Sequence, residues 1–184
     1  MPFSSFFQFI DKALDAQEPA ASVAAQVEKN TLQSHASIVK EVLSDLKLGD
    51  KPDEETKEKV SWVKRHGSAA LLISVYVDDK SKELMVEIIA PMVKYPIESV
   101  KPDVQTASIF HLLLDLNYHL ADARLAWSEE WGIVMMARRR ALGLDKSEFV
   151  HMLKVVSTNA DRIDTLLARD FDVQMWGSDG EISF

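Results

Sequence analysis

At 184 residues the chain has the length of one ordinary domain, enough to bury roughly 70% of its unfolded surface in a single core without covalent staples. It has no cysteine, which excludes a disulfide framework, a thiolate metal site and a cysteine nucleophile, and suits a reducing compartment; the cytoplasm is the expected location. With 29 acidic against 21 basic residues the net charge is −8, which repels phosphate backbones, so nucleic acid is not an expected partner.

The chain opens on Phe3, Phe6, Phe7, Ile10 and Leu14 at helical spacing, with Gln8, Asp11, Lys12 and Asp15 opposite. This predicts an amphipathic helix that ends near Pro19. The start lacks the basic stretch of a secretory signal, and no apolar run nears the ~20 residues of a membrane span, so neither export nor a membrane partner is expected. An interfacial membrane helix would carry Lys and Arg on its polar face, whereas this one holds two aspartates and one lysine, which favours packing on protein. A second helix runs through Leu32, Ala36, Val39, Val42, Leu43 and Leu46 to Gly49, and residues 51 to 55 then form a charged linker.

The period next changes to two. Leu71, Ile73, Val75 and Val77 define one strand and residues 84 to 90 another, joined by a polar turn at residues 78 to 82. A preceding strand is expected around residues 60 to 64, where a continuing helix is the alternative reading. From Val104 to Leu116 the chain is apolar nearly all round, which predicts a deeply buried helix. Residues 124 to 127 and 133 to 137 read as a second hairpin turning at Glu129 and Glu130. The last helix starts from Asp145 with Glu148 three residues on, the spacing of a capping box, and continues as Phe149, Met152, Leu153, Val156, Ala160, Ile163 and Leu167. The expected class is α+β, a five-stranded antiparallel sheet in the order α-β-β-β-α-β-β-α with an extra N-terminal helix. Residues 1 to 30 form the N-terminal extension, 31 to 170 the domain, and 171 to 184 a tail that is loose or strapped on.

Chemistry-bearing motifs are absent. The five histidines, His35, His66, His111, His119 and His151, never take HxxxH or HExxH spacing, and no glycine-rich phosphate loop or GxSxG occurs. Catalytic residues, metal ligands and cofactors are therefore not assigned. Three clusters are candidates for contact with a partner: Val39, Val42 and Leu43 on the second helix; Trp127, Trp131, Met135 and Met136 on the second hairpin; and Phe3, Phe6 and Phe7. Aromatic residues and methionine are enriched at interfaces, although a strand must also bury one of its faces. Arg138, Arg139 and Arg140 end the fifth strand and read as charge that protects a sheet edge.

The segment from Leu112 to Trp127, continued by Gly132-Ile133-Val134, Leu142 and Leu144 to Phe149, resembles the YbjN-type sensory-transduction regulators, which are similar in fold to type III secretion chaperones. The resemblance covers roughly residues 60 to 168. It implies a small acidic protein, usually a homodimer, that offers an apolar groove to a segment of another protein. The expected function is thus a non-catalytic protein-binding module, chaperone-like or regulatory, with a groove built from residues 31 to 47 and the sheet face, and with residues 133 to 137 as the edge available for strand pairing. The alternatives are a small-molecule sensor with a pocket under the final helix, and an enzyme with an unrecognised site.

Overall fold

The computed structural model describes residues 21–66, 69–94, 104–171, 173 and 175–176. In chain order these form α1 (Ala21–Asp45), β1 (Glu54–Glu55), β2 (Lys59–His66), β3 (Ala69–Val77), β4 (Leu84–Val93), α2 (Val104–His119), β5 (Arg124–Ser128), β6 (Gly132–Arg140) and α3 (Lys146–Asp170). The class is α+β with an antiparallel sheet, as expected, but the sheet has six strands in the order β1-β2-β3-β4-β6-β5. The additional strand is Glu54–Glu55, inside what the sequence presents as a linker. Two residues carry no detectable period, and β1 is held by pairing with Val60 and Ser61 and by the Asp53 carboxylate, which accepts from the Val63 N–H at 2.7 Å.

Cross-strand rows explain the core. Trp62, Ile73, Ile88 and Ala137 stand side by side across four strands, and all four are buried. Alternation sends Ser61, Ser74, Glu87 and Arg138 to the opposite face. α1 and α3 lie against each other over the apolar face, α1 on β2 and β3 and α3 on β3, β4 and β6. In α3 the capping box is complete, with Asp145 accepting from the Glu148 N–H and Glu148 reaching back, and the buried stripe follows the sequence period to Leu167. α1 ends at Asp45, closed by the Leu48 N–H donating to the Leu43 carbonyl with Lys47 at a φ of 57°, and Gly49 follows at +80°, a conformation that suits glycine.

Two expectations are corrected. β6 is not the sheet edge: it lies between β4 and β5, and the edge at this end is β5. The chain crosses over α2 before entering the second hairpin, which lets the later strand of that hairpin dock on β4. α2 is not deeply buried either. It packs chiefly on β5, burying Ile109 and Leu113, while Phe110, Leu114 and Tyr118 are 41%, 72% and 87% exposed. Part of the tail is strapped on: Met175 bridges Val93, and the Trp176 N–H donates to the Met92 carbonyl at 2.9 Å.

Candidate functional site

β5 begins at Arg124, opposite Met136, whereas β6 runs on to Arg140. Beyond the start of β5 this leaves a cleft of about 710 Å³ between β6, the turn at residues 121 to 123 and the first two turns of α3. Ala123, Met136, Ala137 and Met152 give it an apolar floor, and Asp122, Arg124, Arg138, Arg139, Ser147, Glu148 and His151 form its rim. Most rim charges are matched. His151 Nε2 lies 3.0 Å from Asp122 Oδ2, and Arg139 meets Glu148 at 2.6 Å. Arg124 forms no ion pair among the described residues.

Arg138 anchors the cleft from below. Its guanidinium reaches Asp78 at 2.6 Å and Glu87 at 3.9 Å and stacks 5.6 Å from the Tyr76 ring centroid. Burial pushes the Glu87 carboxyl up, with Arg138 and Arg124 pulling the other way. Asp78 is held down at about 2, first by the backbone N–H and hydroxyl of Ser81 and then by Arg138. Desolvation works against the charge on Arg138, but Tyr76, Asp78 and Glu87 together raise its pKa. The triple arginine thus ends a strand that is interior as far as Met136 and runs on past β5 from there, and all three are ion-paired, Arg140 to Glu83 at 2.8 Å included.

On the other side of the first turn of α3 lies a second recess of about 250 Å³, lined by Val42, Asp45, Leu46, Lys146, Ser147 and Val150. Lys146 is ion-paired with Glu41 at its rim. Leu46 and Val150 are 43% and 38% exposed. Ser147 lines both depressions, so they form one tract across the start of α3.

The sequence candidates are dispersed. Val39, Val42 and Leu43 are buried where α1 meets the sheet and α3, and of these Val42 lines the smaller recess. Met135 is buried, and Met136 reaches the cleft floor. Trp127 is 41% exposed on β5, while Trp131 is half-buried with its carbonyl accepting from Trp176 Nε1 at 2.7 Å. Phe3, Phe6 and Phe7 lie outside the described residues. Sequence reasoning passed over Leu46, Arg124, Ser147 and Val150, and the outward row Phe110, Leu114 and Tyr118. That row could have been found, because its i, i+4, i+8 spacing is a second apolar stripe beside Ile109 and Leu113. Among the described residues no group of three or more His, Asp or Glu is placed to hold a metal ion, and no helix is long and apolar enough to cross a membrane.

The outer edge of β5 is partly closed. The Asn117 side chain of α2 accepts from the Leu125 N–H at 2.7 Å and donates to the Leu125 carbonyl at 2.9 Å. Its amide thereby takes the place of a neighbouring strand at that residue.

A family model described as T3SS (YopN, CesT) and YbjN peptide-binding chaperone 1, TY-Chap1, matches residues 33–175. No curated protein matches the chain in sequence. Among solved structures, the ExsC-ExsE complex is similar with a TM-score of 0.49 at 16% identity, over 74% of this chain and 95% of that one. The HopA1-SchA chaperone-effector complex is similar with a TM-score of 0.46 at 10% identity, over 70% of this chain and 94% of that one.

Proposed function

The chain belongs to the TY-Chap1 family of peptide-binding chaperones, and on that premise we propose that it is a non-catalytic chaperone or regulator that holds a segment of a partner protein along the tract across the start of α3. The observation that carries this reading is the tract itself: an apolar-floored cleft and an apolar recess that meet at Ser147. An apolar floor with Leu46 and Val150 exposed beside it, along a matched polar rim, suits a polypeptide, which brings alternating side chains and a polar backbone. The partner surface therefore moves from the core side chains Val39, Val42 and Leu43 to the exposed neighbours Leu46 and Val150, with Met136 kept from the sequence candidates. Trp127 and the Phe-rich start remain proposed contacts.

We further propose that the protein is a homodimer that works in the cytoplasm. The exposed row Phe110, Leu114 and Tyr118 supports self-association, since apolar side chains at successive turns make a helix face that another helix can cover. Absence of cysteine supports the compartment.

The test is recovery of a partner from source cells with the tagged chain, beside a Ser147→Trp variant. Ser147 is exposed, so the bulky ring fills the tract without entering the core. A single co-purifying protein that is lost from the folded variant is expected; equal recovery by the variant would place the binding surface elsewhere. The ion-paired rim under α3 also favours a second reading, a small-molecule sensor. A metabolite that raises the melting temperature in wild type and not in Ser147→Trp would select it.

A further inference from the structure

Resting on the reading of the cleft as the place that holds a partner segment, we propose that the segment is received as a short β-strand paired to β6 at Arg138, with an acidic side chain set against Arg124. Backbone accounting leads there. Asn117 bonds to both peptide groups of Leu125, so Leu125 faces away from β6, and Arg124, Ala126 and Ser128 face toward it. Met136 is the partner of Arg124, so its peptide groups point to β5, and those of Arg138, two residues on, point the same way. The Ala141 N–H, which donates to Leu84 of β4, fixes the same alternation from the other side. β5 has ended by that point, and the Arg138 N–H and C=O are turned into the cleft without a strand partner.

An open strand end presents these groups as a template for another strand, and one continuing the line of β5 would bond both. The outer edge of β5 offers less, because Asn117 has already closed it at Leu125. The geometry also sets the occupant's side chains. The residue facing Arg138 projects on the same side of the sheet as Arg124, which stands two strand positions, or roughly 7 Å, along. An acidic side chain there reaches the one rim cation that lacks an ion pair. The flanking residues fall on the other side, against Ala137 and Met152, where small or medium apolar side chains fit. The partner chemistry is thus an extended segment in which apolar residues flank an acidic one.

The probe is a fluorescent, end-capped heptapeptide of alternating valine and threonine with a central glutamate, titrated against the full chain. Methylating the central backbone nitrogen removes the bond to the Arg138 carbonyl and should weaken binding about tenfold. A central lysine should weaken it about as much, and Arg124→Glu should reverse the preference between glutamate and lysine. Amide exchange at Arg138 should slow on binding, while that of Leu125 stays unchanged. Equal binding of the methylated peptide, an unprotected Arg138 amide, or no binding of the parent peptide would overturn the strand pairing. If co-purification of the partner is still lost in Ser147→Trp, the cleft keeps its role and the strand mode alone fails.

Discussion

α2 and α3 both bury apolar side chains against the sheet, and they distribute their apolar character in opposite ways. α3 gathers most of it in one buried stripe from Phe149 to Leu167, with Val150 left exposed at the smaller recess. α2 spreads it round the cylinder, buries Ile109 and Leu113 against β5, and leaves Phe110, Leu114 and Tyr118 outside. A helix that is apolar on one side can be satisfied by its own sheet. One that is apolar all round needs two partners, and this fold supplies one. The difference separates a scaffold helix, whose first turns shape the cleft, from a helix whose outer face stays exposed, the face proposed above for self-association.

The comparison is sharpest where a side chain is removed. Phe149 is fully buried, and Phe149→Ala should cost about 3–5 kcal/mol in denaturant unfolding, the usual toll for an aromatic taken from a packed core. Loss below about 1 kcal/mol would mean that α3 is not the scaffold described here.

α3 also carries a flaw that can be repaired. Burial first, and the nearby Asp161 second, push the Asp164 carboxyl from 3.8 to about 7, and its Oδ1 has no hydrogen-bond partner among the described residues. The folded state binds this proton more tightly than the unfolded state, so stability should fall as pH rises from about 4 to about 7 and stay low above. Asp164→Asn should remove that slope, adding about 1–3 kcal/mol near pH 8 after allowance for partial exposure, and little near pH 4. Denaturant midpoints for both proteins across that range read the difference directly.

Removing the cap is a smaller insult. Asp145→Ala should lower stability by about 1 kcal/mol and loosen the first turn of α3, where Ser147 and Glu148 border the cleft. On α2, Leu114→Glu should change the stability of the isolated chain by less than about 0.5 kcal/mol, because the side chain is mostly in water. Its effect should appear in sedimentation velocity instead, as a shift from dimer to monomer. A strongly destabilised Leu114→Glu monomer would erase the contrast between the two helices.

What the sequence disclosed follows the same division. The capping box at Asp145, the α3 stripe and the alternation in β3 and β4 were legible because each is a local pattern with one physical reading. β1 was not, since Glu54 and Glu55 owe their strand geometry to Ser61 and Val60 rather than to any period of their own. The position of β6 inside the sheet was hidden because hairpin neighbours in sequence say nothing about which strand meets β4. Exposure of α2 was misread for a physical reason as well, since an all-round apolar helix is ordinarily covered, and hydropathy does not say whether the cover comes from the same chain. In the candidate site the sequence pointed to interface-prone residue types. The cleft itself arises from a mismatch in length between β5 and β6, which only the pairing reveals.

The central claim is that one surface receives a different protein and the other a second copy. A photoreactive amino acid placed at Ser147, and separately at Leu114, can be activated in source cells and the adducts identified by mass. The account predicts adducts of the Ser147 protein with a second, distinct polypeptide and adducts of the Leu114 protein with the chain itself. Adducts at Ser147 only with copies of this chain, or none while a partner co-purifies, would contradict it.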